Sequence, residues 1–440
     1  MNLRQRTLAA LLVLGIGMSG CNNTDNNPTS PTVDKKNKTH GCIMIEFYPD
    51  VDDNNSEENR TVDENESTII PNPDVDDNNS EENRTVDGNE STIIPNPDVD
   101  DNNSEENRTV DENESTIIPD PDVDENKTDG NKAVIGNLHK LGLYNTVWYS
   151  WSVTLSSDGT KAYIADDEKG LIIIDISDPA YPTKLGSYNT TGQSFSITLS
   201  NDGTKAYVAD GDNGLVIVDT SNPVHLAKLG SYDTVGYSLD VTLSSDGTKA
   251  YVVDENGLVI VDISNPADPI KLGSYDTAGY AGGITLSSDN TKAYVADYTN
   301  GLVIVDISDS THPTKLDSYN TDGIALGITL SSDGSKAYVA DDDNGLVIVD
   351  ISDSYNPTKL SSYDTAGNVK AVIVSSDGTK AYIADYRNGL VVVDINDPTH
   401  PTKLGSYNTA GFSWDITLSS DGTKAYIADG KNGLVIIGGI

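Results

Sequence analysis

An unbroken apolar run recurs seven times in the second two-thirds of the chain, closed by Asp in every copy but the last. It is first seen as GLIIID at residues 170–175, and it returns at spacings of 43 or 44 residues from Gly214, Gly257, Gly301, Gly345, Gly389 and Gly433. A strand with one face in water alternates apolar and polar residues, so an unbroken run predicts that both faces are covered. We therefore expect a central strand in a small sheet stacked between neighbouring sheets.

Each copy of this run belongs to a block that carries four short strand-like segments separated by turn signals. In the second block the predicted strands are residues 194–200, 205–210, 215–220 and 228–232. Asp202-Gly203 lies between the first two, and Asp-Gly is typical of a tight hairpin turn. A Ser-Asn-Pro sequence after the third segment ends its pairing, because proline cannot donate to a ladder. A repeat of this length with four antiparallel strands is typical of a propeller blade.

Counting the segments predicts seven blades and a closed ring. First, second and third strands each occur seven times, and so do fourth strands, but one fourth strand stands alone at residues 138–144. The last block stops after its third strand, at residues 434–440. We expect 138–144 to pair with 434–437, which closes the ring and removes open edges. The fold class is therefore all-β, a seven-bladed propeller of four-stranded antiparallel blades. The alternative, an open solenoid, needs capping repeats that this sequence lacks.

The repeated text Gly-Leu-Val-Ile-Val-Asp-Ile-Ser, with Lys-Ala-Tyr-Val-Ala-Asp upstream, resembles the LVIVD-repeat family of β-propellers. The likeness covers residues 138–440. That family is widespread among bacterial surface and secreted proteins, and most of its members have no assigned activity. The resemblance therefore implies the propeller fold and little about chemistry.

Residues 1–21 have the pattern of a targeting segment. Arg4 and Arg6 precede an apolar stretch, and Met18-Ser19-Gly20-Cys21 resembles a bacterial lipoprotein cleavage box. The resemblance implies a lipid on Cys21 that attaches the protein to a membrane. Asn22 follows where Asp would favour the inner membrane, so we expect an outer-membrane or cell-surface location in a Gram-negative bacterium. The alternative is an ordinary secretory signal with a chance cysteine.

Residues 22–137 are predicted to be a disordered acidic stalk. A 24-residue unit runs three times from Pro49, Pro73 and Pro97, and the segment holds 31 Asp and Glu against 8 Lys and Arg. So few apolar residues cannot offset the entropy of ordering the chain. Seven Asn residues sit in an acidic acceptor pattern that resembles bacterial N-glycosylation sites: Asn59, Asn65, Asn83, Asn89, Asn107, Asn113 and Asn126.

Two alternatives remain open for the stalk. The acceptor patterns would also arise by chance from this composition and then be copied by duplication. Asp74, Asp76, Asn78 and Ser80 occupy alternating positions of a calcium loop, but the loop lacks its usual Gly and terminal Glu. A solvated acidic spacer is the preferred interpretation of these residues.

The charge excludes one class of partner. The formal net charge is −41, and no basic patch is evident in the sequence. Such a chain is repelled by nucleic acid, so we expect no nucleic-acid partner. Phosphate-loop, nucleophile-elbow and metal-ligand signatures do not appear, so we predict no cofactor and no metal. The sequence leaves the oligomeric state open.

Variation among the blades is concentrated in two sets of links, from each fourth strand to the next first strand and from second to third strands. Both sets lie on one face of a propeller, around the channel mouth. The candidate ligand-face residues are Trp148, Tyr149, Trp151, Phe195, Tyr237, Tyr280, Phe412, Trp414, Asp341, Asp342 and Asp343. Large aromatics at such a mouth suit sugar rings, peptides or apolar ligands. The alternative is packing, which we favour for Trp151, Phe195 and Trp414, and hairpin capping for the acids.

Three functions are compatible with the sequence. The leading hypothesis is a lipid-anchored, surface-displayed binding or adhesion propeller without catalysis, whose partner is a cell-surface glycan or protein. The second is a periplasmic or surface enzyme, similar to propeller lyases or lactonases, that uses acids around the channel mouth. The third is a purely structural coat protein.

Overall fold

The computed structural model describes residues 136–146 and 148–440. These residues form seven four-stranded antiparallel sheets, which are the blades of a β-propeller, so the predicted fold class is confirmed. Cys21, the seven candidate glycosylation sites and the 24-residue repeats lie outside the described residues. Within the part of the chain that the structure describes, no helix has the length and hydrophobicity that a membrane span requires.

The first and second strands of the blades begin close to their predicted positions. The first strands are β2 (Ser150–Leu155), β6 (Ser196–Leu199), β10 (Ser238–Leu243), β14 (Gly283–Leu286), β18 (Gly327–Leu330), β22 (Ala371–Val374) and β26 (Asp415–Leu418). The second strands are β3 (Lys161–Asp166), β7 (Lys205–Ala209), β11 (Lys249–Asp254), β15 (Lys292–Ala296), β19 (Lys336–Ala340), β23 (Lys380–Ala384) and β27 (Lys424–Ala428).

The third and fourth strands complete each blade. The third strands are β4 (Leu171–Asp175), β8 (Leu215–Asp219), β12 (Gly257–Asp262), β16 (Leu302–Asp306), β20 (Leu346–Asp350), β24 (Leu390–Asp394) and β28 (Leu434–Gly438). The fourth strands are β5 (Thr183–Tyr188), β9 (Ala227–Tyr232), β13 (Ile270–Asp276), β17 (Thr314–Tyr319), β21 (Thr358–Tyr363), β25 (Thr402–Tyr407) and β1 (His139–Tyr144). We number the blades 1 to 6 from β2–β5 to β22–β25, and blade 7 consists of β26, β27, β28 and β1.

The hydrophobic core lies between the blades. Leu171 to Ile174 of β4 are at most 4% exposed, as expected of a strand covered on both faces. The cluster around them joins Tyr163 and Leu171 of blade 1 to Val208 and Val216 of blade 2. Every blade therefore buries its apolar faces against its two neighbours.

The ring closes through β1, as the strand count predicted. β1 is antiparallel to β28, with Tyr144 opposite Leu434 and His139 opposite Gly438. A Cβ on Gly142 would lie 1.9 Å from the carbonyl oxygen of Pro179, the same close approach that Gly186 makes to blade 2. The first strands contact one another around the ring, including β26 with β2. These strands therefore surround the central channel.

Backbone bridges join the blades at the channel mouth. At six of the seven junctions, the link between a blade's second and third strands is joined by backbone hydrogen bonding to the start of the next first strand. At the junction of blades 1 and 2, the N–H of Ser194 donates to the carbonyl oxygen of Asp167. Among the described residues, the junction of blades 3 and 4 has no such bridge. Its link, Asp254-Glu255-Asn256-Gly257, is one residue shorter than the others, which also accounts for the single 43-residue spacing. On the opposite face, Asn290 bonds to Ser245 across the same junction.

Candidate functional site

The mouth face carries the fourth-to-first links and the second-to-third links, and it holds a continuous row of aromatic rings. Successive ring centroids are 4.4–6.4 Å apart through blades 6, 7, 1, 2 and 3. We call this row the aromatic arc; it consists of Tyr386, Phe412, Trp414, Tyr149, Trp151, Phe195 and Tyr237. All seven side chains are half-buried, so each ring both packs on its neighbours and retains exposed surface.

Small residues in the links make room for the arc. Gly430 has a φ of 58°, and a Cβ there would lie 2.9 Å from the ring of Tyr149 and 3.3 Å from Phe412. Gly211 has a φ of 51°, and a Cβ there would lie 3.0 Å from the ring of Tyr237. Where glycine stands in these links, the tyrosine of the next blade covers the backbone.

Cationic side chains lie over aromatic rings of the mouth face, two of them over the arc. The Nζ of Lys370 is 5.3 Å from the ring centroids of both Tyr386 and Trp414. The guanidinium of Arg387 is 5.3 Å from the ring of Phe412, and the Nζ of Lys169 is 5.6 Å from the ring of Trp148. These distances are within the range of cation–π attraction.

The three consecutive acids that the sequence indicated have different environments. Asp341 is fully buried and accepts hydrogen bonds from Thr321 and Asn344, so its carboxylate does not face the mouth. Asp342 forms an ion pair with Lys370 at 2.7 Å, with both side chains mostly buried. Asp343 is exposed and accepts a hydrogen bond from Asn368. Of the three, Asp343 alone presents its carboxylate openly to solvent.

Asp341 has a buried counterpart at the same position in every blade. In blade 2, Asp210 is fully buried and accepts hydrogen bonds from Thr190 and from Ser194 at 2.6 Å, while Asn213 donates to its second oxygen at 2.7 Å. Burial raises the pKa of Asp341, and the hydrogen bonds from Thr321 and Asn344 lower it in part. Through these hydrogen bonds, the acids join the second-to-third link of a blade to the fourth-to-first link that precedes the blade.

Two further acids lie on first strands, which surround the central channel, and sequence patterns did not indicate them. Asp415 accepts hydrogen bonds from the backbone N–H of Val153 in blade 1 at 3.0 Å and from that of Ile416 at 2.8 Å. Asp240 accepts from the hydroxyl of Ser196 at 2.6 Å and from the N–H of Ile284 at 2.9 Å. Burial raises the pKa of both, that of Asp415 to about 6. Each acid therefore bridges neighbouring blades.

The remaining predicted residues lie on the same face but apart from this row. Tyr280 is in edge contact with Tyr298 in blade 4, with centroids 5.5 Å apart, and burial raises its pKa to about 12. Trp148 is 40% exposed at the rim of blade 1. Tyr298, Tyr386 and the cations were not predicted from the sequence. One feature of the sequence distinguishes all of them, because none occupies a position that holds the same residue in all seven blades.

The rings and charged groups of the site are suited to recognition of a ligand. Its polar groups are tyrosine hydroxyls, cations over rings, buried acids engaged in hydrogen bonds, and exposed acids such as Asp212 and Glu255. Within residues 136–146 and 148–440, no three His, Cys, Asp or Glu side chains come together as a metal-binding set. The exposed ring surface and the adjacent cations can bind a ligand that combines flat apolar faces with negative charge.

Comparison with known proteins identifies the repeats. The family model described as the LVIVD repeat matches seven times, at residues 149–190, 192–234, 235–277, 278–321, 323–365, 366–409 and 410–438. No curated protein matches the sequence.

Solved structures with similar architecture share little sequence with this chain. The β-propeller domain of Cps50 (Swd1) from Myceliophteria thermophila is 13% identical, with a TM-score of 0.58 over 69% of this chain and 99% of that one. Virginiamycin B lyase from Staphylococcus aureus is 16% identical, with a TM-score of 0.56 over 69% and 99%. The periplasmic gluconolactonase PpgL of Pseudomonas aeruginosa is 16% identical, with a TM-score of 0.50 over 58% and 85%. Identities this low show a common fold alone.

Proposed function

This chain belongs to the LVIVD-repeat family of β-propellers, and we propose that it is a binding or adhesion module, lipid-anchored and displayed at the cell surface, that holds its ligand on the mouth face. The observation that carries this proposal is the aromatic arc. Seven half-buried rings run across five blades of a domain whose blades are otherwise near-copies of one another. Aromatic side chains concentrated on one face are typical of recognition surfaces.

A comparison of the two faces supports a role for the mouth. On the opposite face the first-to-second turn is nearly the same in all blades, with the text Ser-Ser-Asp-Gly-Thr-Lys. Its acid caps the turn, as Asp158 does by accepting from the N–H of Thr160 at 3.0 Å and from Ser156 at 2.6 Å. The requirements of packing explain such uniformity. Packing does not require that one equivalent position of the mouth hold Trp in blades 7 and 1, Leu in blade 3 and Lys in blade 6.

The start of the described chain is consistent with display of the mouth. Gly136 lies against Gly439, where a Cβ would be 2.9 Å from the carbonyl oxygen, and this is on the face opposite the mouth. A tether through residues 22–137 to a lipid on Cys21 would therefore join the propeller away from the proposed ligand. We propose an outer-membrane or cell-surface location on this basis and on the cleavage-box resemblance.

A propeller enzyme is the second candidate, favoured by one observation. Asp415 lies on a first strand beside the channel, and burial raises its pKa to about 6; acids tuned in this way serve as general acids or bases. Both oxygens of Asp415 already accept backbone hydrogen bonds, which is the arrangement of a structural acid. If the protein is an enzyme of this kind, Asp415→Asn will abolish the activity while ligand retention persists.

The proposal is tested by probing glycan and peptide arrays with the full chain and two variants. Trp148→Ala removes an exposed ring from the mouth, and Tyr355→Ala removes a 64% exposed ring from the opposite face. We expect retention of a specific ligand by the wild type and by Tyr355→Ala, and weaker retention by Trp148→Ala. Equal loss in both variants, or no retained ligand on any array, would overturn the proposal in favour of a structural coat protein.

A further inference from the structure

The basic residues of the propeller fall into two groups. Residues 138–440 contain 18 Lys and Arg, and 14 of them recur at two fixed positions, one at the start of each second strand and one near the start of each fourth strand. The other four interrupt the repeat: Lys169, Lys370, Arg387 and Lys431. Repeated lysines serve every blade alike, whereas these four have no counterparts and need a local explanation.

The fold gathers all four on the mouth face, in three consecutive blades. Lys370 and Arg387 belong to blade 6, Lys431 to the β27–β28 link of blade 7, and Lys169 to the β3–β4 link of blade 1. Three of them lie over aromatic rings, at 5.3 to 5.6 Å from the centroids of Trp414, Phe412 and Trp148. We call blades 6, 7 and 1 of the mouth the cationic sector.

The rest of the rim has the opposite charge. At the position that Arg387 and Lys431 occupy in blades 6 and 7, blades 2, 3 and 5 carry Asp212, Glu255 and Asp343, all exposed. Within the sector, blade 1 carries the exposed Glu168 at this position, directly before Lys169. The propeller as a whole has 38 Asp and Glu against its 18 basic residues. Lys370 is already paired with Asp342, and Glu168 stands beside Lys169, so Arg387 and Lys431 supply most of the local attraction for a negative group. The acidic rim repels the same group elsewhere.

We propose that the cationic sector binds an acidic polysaccharide, one whose sugar rings carry carboxylates. This inference rests on the proposed function and gives its ligand a chemical class. The C–H faces of a sugar ring pack on exposed aromatic surface, which the arc supplies beside the cations. Arginine pairs with a carboxylate through two parallel hydrogen bonds, and the exposed Arg387 adjoins Phe412.

The same features disfavour other anions. Nucleic acid carries a dense line of charge that the acidic links of blades 2, 3 and 5 would repel. An acidic peptide offers carboxylates but few flat apolar faces to cover the rings. A uronic-acid polymer offers one carboxylate and one apolar face on each sugar. The cations of the sector complement the carboxylate, and its aromatic rings complement the apolar face.

The test is calorimetric titration of the full chain with polygalacturonate, with its methyl ester as a neutral probe and polyglutamate as an acidic peptide. The site variants are Arg387→Glu and Lys431→Glu. The matched controls, Lys359→Glu and Lys403→Glu, make the same change of net charge on exposed fourth-strand positions. We expect polygalacturonate binding that weakens about tenfold or more in each site variant, changes less than about twofold in each control, and falls with added salt.

Other outcomes separate this inference from the proposed function. Equal binding of the methyl ester, with no effect of Arg387→Glu, would overturn the acidic class and leave a neutral ligand at the mouth. Binding of polyglutamate alone, lost in Arg387→Glu, would overturn the polysaccharide. Polygalacturonate binding lost equally in the control variants would overturn the cationic sector, and the array experiment with Trp148→Ala would then decide whether the mouth binds anything. Absence of binding by all three probes would overturn the inference.

Discussion

The indole rings of Trp151 and Trp414 lie with their centroids 4.4 Å apart, although one belongs to the first blade and the other to the last. Their contact exists because β1 completes blade 7 and brings it against blade 1. The centre of the aromatic arc thus depends on closure of the ring, and the cationic sector spans the same junction.

Closure can be tested with two leucines of β1. Leu141 packs into the core between blades 7 and 1, whereas Leu143 is 37% exposed. We expect Leu141→Ala to lower the free energy of unfolding by about 2 kcal/mol and Leu143→Ala by less than about 1 kcal/mol. Urea denaturation of both variants measures the difference. Equal small effects would mean that β1 contributes little to the folded ring, and deletion of residues 138–146 would then leave the melting temperature unchanged.

The channel acids predict a pH dependence of stability. Burial raises the pKa of Asp415 to about 6 from 3.8, and it raises that of Asp240 in the same direction. The folded state therefore holds these protons more tightly than the unfolded chain, so their contribution to stability is present at low pH and is lost as the pH rises from about 4 to about 6. For Asp415 the loss is about 2 kcal/mol.

Melting temperatures at pH 5 and pH 7 test this relationship. We expect the wild type to melt higher at pH 5, and Asp415→Asn to show a smaller difference between the two values. The exposed turn acids, such as Asp158, have a lowered pKa and lose their contribution to stability only in more acidic solution. Between pH 5 and pH 7 the change in stability therefore comes from the buried acids. An unchanged difference in Asp415→Asn would refute the assignment.

The buried acids of the mouth predict unequal effects of one substitution in two blades. Asp210 accepts from two hydroxyls, those of Thr190 and Ser194, whereas Asp341 has the hydroxyl of Thr321 alone, because Ala325 stands in place of the serine. We expect Thr321→Val to cost about 3 kcal/mol and Thr190→Val about 1 kcal/mol. Chemical denaturation of the two variants checks the order, and a larger loss for Thr190→Val would contradict it.

The junction of blades 3 and 4 should open more readily than the other six at the mouth. The N–H groups of Ser194, Ser238 and Ala325 each donate to a carbonyl of the preceding blade, and among the described residues no such bond joins Ala281 to the shorter link. We expect the amide of Ala281 to exchange with deuterium about tenfold faster or more. Exchange measured residue by residue decides this, and equal protection at Ala281 would show that burial alone holds the junction.

Architecture was more predictable from the sequence than the site. Repeat spacing, the Asp-Gly turns and the unbroken runs depend on neighbours along the chain, so the blade count and the pairing of residues 138–144 with the last blade followed from counting. First strands begin one or two residues later than predicted in five blades, as in blade 2, where β6 begins at Ser196 and not at 194. There the N–H of Ser194 donates to the carbonyl oxygen of Asp167 in blade 1.

The site residues depend on which blades become neighbours, and that information is not local. Asp415 lies beside Val153 only in the closed ring. Apart from Asp240 in blade 3, the other blades have serine, glycine or alanine at the equivalent position, so the repeat gives no sign that an acid there matters. The cations were missed because the total charge and the acids of the links dominate the sequence. Setting the repeated lysines aside isolates Lys169, Lys370, Arg387 and Lys431 from the amino-acid sequence alone.

Tryptophan fluorescence tests the central claim, that the mouth is the binding surface, most directly. The chain contains three tryptophans, Trp148, Trp151 and Trp414, and all of them lie at the mouth. Titrating the full chain with the ligand retained on the arrays should change the emission saturably, with the same half-saturation that calorimetry gives. Calorimetric binding that leaves the emission unchanged would place the ligand elsewhere and contradict the account.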